Sequence, residues 1–201
     1  MKRCIVIDHY DSFTFNLVHL LEETLENSSG PFELIVFRQD EVGLNEILSR
    51  NPTHVLLSPG PGHPDDPEYF GVSESILRLR NPYIKIFGVC LGMQGIVTSF
   101  GGRLQRSKVP YHGKTSAITH DRLGIFSEIP DRIRVMRYHS LEGVENSLPD
   151  CLEATAKVQT NGENPVLMGV RHKTLPIEGV QFHPESFATE CGKKMIENFL
   201  K

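Results

Sequence analysis

The first half of the chain alternates apolar runs of strand length with segments whose apolar residues recur at helical spacing. The apolar runs predict strands over residues 4–8, 33–38, 54–58 and 84–89. Helices are predicted from a cap at Asp11 or Ser12 onward, and over residues 44–49, 74–80 and 91–100. Strands that are separated by helices indicate βαβ units and a parallel sheet.

Beyond Gly101 the pattern changes to short, partly alternating segments. Strands are predicted over residues 114–119, 133–138, 152–158, 166–171 and 177–182, and a closing helix over residues 190–200. Strands that follow one another without helices favour antiparallel pairing. We therefore predict one α/β domain over residues 1–201. It has three layers, with a mostly parallel central sheet between helices, and a small antiparallel sheet in addition.

Composition and charge argue against several classes of function. The chain has 201 residues and a net charge of -4, so it has no basic stripe for binding nucleic acid. Its longest apolar runs have strand length and its N-terminus lacks the apolar core of a signal peptide, so we predict no membrane span and a cytoplasmic location. Its four cysteines form no C-x-x-C pair, which argues against a disulfide framework or a zinc site. We predict neither a metal nor a cofactor.

Cys90 is the strongest candidate for chemistry. It follows a predicted strand, precedes a predicted helix and lies between Gly88 and Gly92. This is the pattern of a nucleophile elbow, with cysteine in place of serine. At a helix N-terminus the free N–H groups and the helix dipole favour the reactive thiolate. The alternative is a buried cysteine between two glycines that merely permit a tight turn.

His183 and Glu185 form the second candidate. They follow the last predicted strand and stand two residues apart, so in extended chain their side chains point to the same side. A carboxylate beside an imidazole fixes its tautomer and supports its positive charge. The carboxyl ends of parallel strands would place His183 near Cys90. The alternative is a histidine and a glutamate in an ordinary surface turn.

The third candidate is the loop over residues 59–62, with the sequence Pro-Gly-Pro-Gly. It also follows a predicted strand, and its prolines and glycines fix a backbone whose N–H groups can face a ligand. Such donors suit an oxyanion hole. The alternative is a plain connection between two elements.

Together these segments resemble the class I, or triad, glutamine amidotransferases. Members of that family carry P-G-P-G, G-x-C-L-G-x-Q and Q-F-H-P-E, which stand here at residues 59–62, 88–94 and 181–185. The resemblance extends from about residue 4 to residue 200. It implies the family's fold, a flavodoxin-like α/β arrangement of three layers with a small antiparallel sheet.

Three further motifs, at residues 8–14, 112–114 and 137–141, resemble the branch that serves chorismate-using synthases. That branch contains the glutaminase subunits of anthranilate synthase and of 4-amino-4-deoxychorismate synthase. The resemblance implies L-glutamine as substrate and a chorismate-binding synthase as partner in a heteromer. The tryptophan and folate routes both remain open. Two residues depart from the branch: Met93 stands where His is common, and His9 where Asn is common.

The resemblance also implies a role for each site residue. Cys90 attacks the glutamine amide, His183 acts as acid and base, and Glu185 orients His183. The N–H groups of Gly60 and Leu91 form the oxyanion hole. The expected substrate-binding residues are Gly60, Pro61, Gly62, Gln94, Ser140 and Leu141.

Two other functions remain open. One is a cysteine hydrolase that cleaves γ-glutamyl or peptide bonds and needs no partner. The other is a silent binding module that only stabilises a synthase. The presence of Cys90, His183 and Glu185 together argues against the silent module, since it has no chemical need of all three.

Overall fold

The computed structural model describes residues 1–28, 30–158 and 165–201. Its strands are β1 Lys2–Asp8, β2 Phe32–Arg38, β3 His54–Leu57, β4 Lys85–Val89, β5 Leu104–Ala117, β6 Thr119–His120, β7 Arg134–Gly143, β8 Leu152–Val158, β9 Val166–His172 and β10 Ile177–Val180. Its helices are α1 Thr14–Glu26, α2 Leu44–Ser49, α3 Pro67–Phe70, α4 Val72–Arg78, α5 Leu91–Ser99 and α6 Gly192–Phe199. Short 3-10 turns lie at Gly124–Phe126 and Glu145–Ser147.

Among the described residues, eight strands form the central sheet in the order β2-β1-β3-β4-β10-β9-β8-β6. The first five strands in this order are parallel, and β9, β8 and β6 continue the sheet in antiparallel pairing. Strands β5 and β7 pair antiparallel as a separate sheet. The predicted α/β class with a mostly parallel sheet and a small antiparallel sheet is therefore confirmed. Most of the later strands extend the main sheet instead of joining the small one.

The core lies on both faces of the central sheet. Alternate residues of a strand point to opposite faces, so Val6 and Val89 pack with helices α1 and α6 while Ile7 and Ile86 pack with helices α4 and α5. Because both faces are covered, the central strands have continuous apolar stretches, such as residues 5–7 and 55–57. This is why they were recognisable as continuous apolar runs.

The cap of α1 differs from the prediction. Phe13 is the N-cap residue and no side chain caps the helix, so the predicted capping by Asp11 or Ser12 is wrong. The Asp11 side chain instead accepts a hydrogen bond from the Phe13 N–H at 2.8 Å, which forms a turn before the helix. The helix consequently begins at Thr14, after the turn.

Helix α3 and most of β5 were not predicted. Helix α3 begins with an Asp66 cap and Pro67, and the Asp66 side chain accepts the Glu68 N–H at 3.0 Å. Strand β5 starts at Leu104, ten residues before the predicted strand over 114–119. Most of its residues are exposed, because its only pairing partner among the described residues is β7. A strand of this kind needs no apolar pattern.

Candidate active site

Cys90 occupies a strained turn between β4 and α5. Its backbone has φ 53° and ψ -100°, a region that residues other than glycine rarely adopt. A Cβ atom on Gly88 would lie 2.5 Å from the Gly92 carbonyl carbon, and one on Gly92 would lie 2.4 Å from the Leu57 oxygen. Both glycines are therefore required by close packing of α5 on the sheet. The Cys90 N–H donates to the Val180 carbonyl at 2.8 Å, which ties the elbow to β10.

His183 and Glu185 lie in the turn that follows β10. The His183 N–H donates to the Met136 carbonyl at 3.0 Å, and the His183 Nδ1 lies 2.6 Å from the Glu185 Oε1. Both side chains are almost fully buried. The contact was predicted, but its reason was wrong: residues 184 and 185 form a turn, and the turn brings the two side chains together instead of an extended chain.

The charge of His183 is set by its neighbours. Burial lowers the pKa of this imidazole, but the sulfur of Cys90 and the carboxylate of Glu185 act in the opposite direction and raise it to about 10. The ring is thus positively charged at neutral pH. Its Nε2 atom is buried and has no hydrogen-bond partner among the described residues. The structure therefore brings Cys90, His183 and Glu185 into one site, with a proton donor on the imidazole.

Two aromatic rings pack against the His183 imidazole. The Phe13 ring lies 5.9 Å and the Tyr138 ring 5.2 Å from it, both edge-on, and the two rings stack on each other at 5.3 Å. Neither residue was predicted as part of the site. Both stand in sequence motifs that were assigned to the family branch, and no spacing along the chain indicates that they meet.

The Pro-Gly-Pro-Gly loop follows β3 and reaches the same edge of the sheet. A Cβ atom on Gly60 would lie 2.5 Å from the His9 Cβ and 2.7 Å from the Leu91 Cδ2, so the loop lies directly beside the start of α5. Among the described residues, no hydrogen bond takes up the N–H of Gly60 or of Leu91. Pro61 is exposed, and Gly62 has φ 82° with its Cα against the Tyr69 ring.

His9 holds the start of this loop through hydrogen bonds to Ser58 and Ser73. Its N–H donates to the Ser58 hydroxyl at 2.9 Å, its Nδ1 bonds the Ser58 carbonyl at 3.0 Å, and its Nε2 bonds the Ser73 hydroxyl at 2.9 Å. The ring also stacks on Phe70 at 5.1 Å. Burial lowers the pKa of His9 to about 4, so the ring is neutral and can make these bonds. The sequence identified His9 only as a departure from the family pattern and assigned it no role.

Gln94 is held by protein atoms on two sides. Its Nε2 donates to the Leu141 carbonyl at 3.3 Å and to the Gln181 Oε1 at 3.2 Å. The Gln181 Nε2 in turn donates to the Cys90 sulfur at 3.5 Å. Ser140 is exposed next to Leu141. Gln181 belongs to a recognised motif but was given no role, and its side chain forms a hydrogen bond with the sulfur.

The chain matches a known family over nearly its whole length. A family model described as Glutamine amidotransferase class-I matches residues 5–201. The chain belongs to the class I glutamine amidotransferases.

Relatives within the family are similar over the whole chain. This amidotransferase is 50% identical to "Anthranilate synthase component 2" of Leptospira biflexa over 198 residues, which cover 98% of each chain. It is 41% identical to "Aminodeoxychorismate synthase component 2" of Serratia marcescens, again with 98% of each chain covered. It also matches longer multifunctional proteins, of which it spans between 24% and 51%.

A solved structure also resembles this amidotransferase. It is a putative GMP synthase protein from Thermoplasma acidophilum, with a TM-score of 0.81 and 26% sequence identity. The similarity covers 100% of the present chain and 92% of that protein. The α/β arrangement is therefore that of a known amidotransferase-type structure.

Met93, the other departure from the branch, is fully buried in the amidotransferase. It lies under the elbow, where a Cβ atom on Gly179 would stand 3.0 Å from the Met93 Cβ. Its side chain belongs to the apolar cluster on the α4 and α5 face of the sheet.

The described residues form no metal-ligating group. No three histidine, cysteine, aspartate or glutamate side chains there are placed to hold an ion. No helix there has the length and apolar character needed to cross a bilayer. All four cysteines are free thiols.

Proposed function

We propose that this chain is a glutaminase subunit that hydrolyses L-glutamine and delivers the ammonia to a chorismate-using synthase. The observation that carries the proposal is the position of Cys90. Its sulfur lies at a helix N-terminus beside a buried imidazole that is itself paired with Glu185. This is the arrangement of a cysteine nucleophile with an acid–base partner and an orienting carboxylate.

The reaction proceeds in two halves. In the first, the Cys90 sulfur attacks the amide carbon of the glutamine side chain, His183 protonates the departing nitrogen, and ammonia leaves a γ-glutamyl thioester. In the second, water attacks the thioester carbon while His183 accepts its proton. Glutamate is released and the Cys90 sulfur is restored. The protonated state of His183 suits the first half, because an amide nitrogen must be protonated to leave.

The roles of the other site residues follow from where each of them lies. The N–H groups of Gly60 and Leu91, which no hydrogen bond takes up among the described residues, belong to neighbouring segments and stabilise the oxyanion of each tetrahedral intermediate. Pro61 and Gly62 shape the same loop. Gln94, Ser140 and Leu141 bind the α-amino and α-carboxyl groups of glutamine. The Gln94 Nε2 is already engaged, and the Oε1 atom, which has no hydrogen bond within the described ranges, can accept one from the substrate. No metal or cofactor takes part in this scheme.

The synthase binds around the mouth of the site. We define the docking surface as residues 8–14, 111–113 and 137–141. Tyr10 and Phe13 are 48% and 37% exposed there, and exposed aromatic side chains are typical of protein interfaces. The names of the relatives support anthranilate synthase or aminodeoxychorismate synthase as the partner, and the tryptophan and folate routes remain alternatives. The free thiols support a reducing, cytoplasmic location.

Replacing Cys90 by alanine tests the proposal. We expect glutamine-dependent synthesis by the complex with the synthase to be abolished, while synthesis from added ammonium salt continues at the wild-type rate. Cys151→Ala is the matched control, because Cys151 is also a free thiol and should leave both rates unchanged. Glutamine-dependent synthesis by Cys90→Ala would overturn the proposal.

A second measurement separates the proposal from a hydrolase that acts alone. The rate of glutamine hydrolysis is measured with and without the synthase subunit from the same cell. We expect the synthase to increase the rate, because free hydrolysis would waste glutamine. An equal rate in both conditions, with hydrolysis of other γ-glutamyl compounds, would favour the independent hydrolase.

A further inference from the structure

Arg137 is fully buried in the small sheet, where the charge of the buried Glu142 carboxylate stabilises it, but no direct salt bridge joins the two residues in the described part of the chain. Its Nη1 donates to the Ser116 hydroxyl at 3.1 Å, its Nη2 has no partner there, and the Tyr111 ring covers the guanidinium at 3.3 Å. Burying a guanidinium that has no direct salt bridge is costly, and an apolar residue would fill the same space at lower cost. We take this cost as a sign that the guanidinium fixes the position of a neighbouring side chain.

The group that it holds is His139. The Arg137 Nε donates to the His139 Nε2 at 3.0 Å, so Nε2 is an acceptor and the ring proton is on Nδ1. The Nδ1–H donates to the Leu141 carbonyl at 2.8 Å. Burial and the charge of Arg137 lower the pKa of His139 to about 3, so the ring remains neutral and keeps this tautomer.

The Leu141 carbonyl links this pair to the reactive sulfur. It accepts from His139 on one side and from the Gln94 Nε2 on the other. Gln94 then bonds Gln181, which donates to the Cys90 sulfur. A continuous series of hydrogen bonds therefore runs from the guanidinium to the nucleophile.

The β5–β7 ladder is irregular in this part of β7. Leu141 is opposite Arg106 and His139 is opposite Tyr111, so residues 107–110 of β5 face the single residue Ser140. Regular strand pairing is interrupted at this point, next to the segment proposed to bind glutamine. Leu141 stands at the edge of this irregular stretch, paired with Arg106, and side chains also bind its carbonyl; His139 supplies the shorter of the two side-chain bonds.

We propose that Arg137 and His139 are positioning residues that fix the Ser140–Leu141 backbone for glutamine binding and, through Gln94 and Gln181, align the Cys90 sulfur. This proposal rests on the glutaminase function proposed above. The decisive bond is His139 Nδ1–H to Leu141, and Arg137 acts by selecting the tautomer that can make it. Tyr111 stacks on the same imidazole at 5.6 Å, so the pair also adjoins the docking surface.

Two substitutions of His139 each keep one of its two hydrogen bonds and remove the other. In His139→Asn the side-chain amide nitrogen takes the place of Nδ1, so the bond to Leu141 is kept and the bond from Arg137 is lost. In His139→Gln the side-chain oxygen takes the place of Nε2, so the bond from Arg137 is kept and the bond to Leu141 is lost. Both variants exchange the ring for an amide and lose similar packing.

The experiment measures kcat and KM for glutamine with the synthase present, and the thermal midpoint of each variant. We expect KM to increase about tenfold in His139→Gln and to stay within about threefold of the wild type in His139→Asn, since a lost hydrogen bond is worth up to about a factor of ten. His120→Gln is the matched control, because His120 lies on β6 at the far edge of the sheet.

The tautomer provides a second readout. In the wild type, nitrogen NMR of the His139 ring should show a proton on Nδ1 alone. Arg137→Lys keeps the charge and removes the Nε donor, so a mixture of the two neutral tautomers is expected. An unchanged Nδ1 tautomer in Arg137→Lys would overturn the role of the guanidinium.

The outcomes separate this proposal from the function it rests on. If the wild-type complex fails to hydrolyse glutamine, the proposed function is wrong. If the wild type is active and the two His139 variants have equal KM values, only the positioning role is wrong. Equal increases in KM accompanied by equal falls in thermal midpoint would show a merely structural histidine.

Discussion

The pKa of His183 is set by the groups that it contacts and not by its residue type. Burial alone would make this imidazole neutral, and it is the neighbouring sulfur and carboxylate that raise its pKa to about 10. The acid that we propose for protonating the leaving nitrogen is thus created by the fold. The same residue type behaves oppositely at His9 and His139, where burial lowers the pKa to about 4 and about 3.

Replacing Glu185 by glutamine should reveal this dependence. We expect the pKa of His183 to fall from about 10 toward its ordinary value of 6.5, because the carboxylate that raises it is removed. The value of kcat should fall about 100-fold or more, since the proton donor is lost and the ring is no longer oriented. Ring NMR across the pH range measures the first effect, and glutamine hydrolysis measures the second.

The stability of the same variant has a predictable pH dependence. A raised pKa in the folded state means that protonated His183 stabilises the wild type fully below about pH 6.5, and that this contribution is lost as the pH rises toward about 10. The difference in free energy of unfolding between the wild type and Glu185→Gln should therefore be largest near pH 6 and shrink in more alkaline solution. A difference that grows with pH would contradict the assignment.

At the scale of elements, the contact between β4 and α5 sets the position of the nucleophile. The helix lies so close to the sheet that Gly88 and Gly92 touch through their backbones. No flexible side chain separates the two elements at this point. The backbone at Cys90 is strained, and the packing of β4 and α5 on either side must stabilise the fold enough to offset that strain.

Gly88→Ala tests this contact. The new Cβ would lie 2.5 to 2.7 Å from backbone atoms of Gly92 and Met93, so the helix must move. We expect the free energy of unfolding to fall by about 2 kcal/mol and the thermal midpoint by about 4–8 °C. Calorimetry measures both. Gly43→Ala is the control: it has φ -90° and no atom within 4 Å of the added Cβ, and its stability should change by less than about 0.5 kcal/mol. Equal midpoints for both variants would contradict this account.

The elements that could be predicted from the sequence are those with a buried face. Strand β4 and helix α2 were predicted within a residue of their bounds, because covered strands and amphipathic helices leave an apolar pattern. Most of strand β5 was missed because it is exposed, and its pairing with β7 leaves no trace in its composition. Pattern alone also gave no means of deciding which later strands extend the main sheet.

The residues of the candidate site also fall into those that the sequence could predict and those that it could not. Cys90 and His183 could be predicted because each follows an apolar strand, and parallel strands bring their carboxyl ends together. Gln181 and His9 could not be given roles, since their roles come from side-chain contacts across 91 and 49 positions of the chain. No local pattern encodes contacts of that range.

At the scale of the whole molecule, two side chains of the proposed docking surface also contact the imidazole of His183. Phe13 and Tyr138 belong to the docking surface and also pack edge-on against His183. A synthase that covers these rings would change the surroundings of His183 without contributing a catalytic group. The arrangement offers a physical reason why the partner should accelerate glutamine hydrolysis.

Phe13→Ala tests this connection. The substitution removes a ring that is 37% exposed, stacks on Tyr138 and contacts His183. We expect the dissociation constant of the synthase to increase about 30-fold, as for the loss of an aromatic residue worth about 2 kcal/mol at an interface. The rate at saturating synthase should also fall, because the ring no longer positions the imidazole. Titrating the hydrolysis rate with synthase gives both values.

Phe15→Ala is the matched control for this prediction. Phe15 lies two residues further along, at the start of α1, and is 57% exposed, but it makes no ring contact among the described residues and falls outside the docking surface. Its removal should change the dissociation constant and the saturating rate by less than about threefold. If both variants weaken the complex equally, the effect belongs to the helix surface in general. If Phe13→Ala changes affinity but not the saturating rate, the ring serves docking alone and another contact must carry the partner's effect to His183.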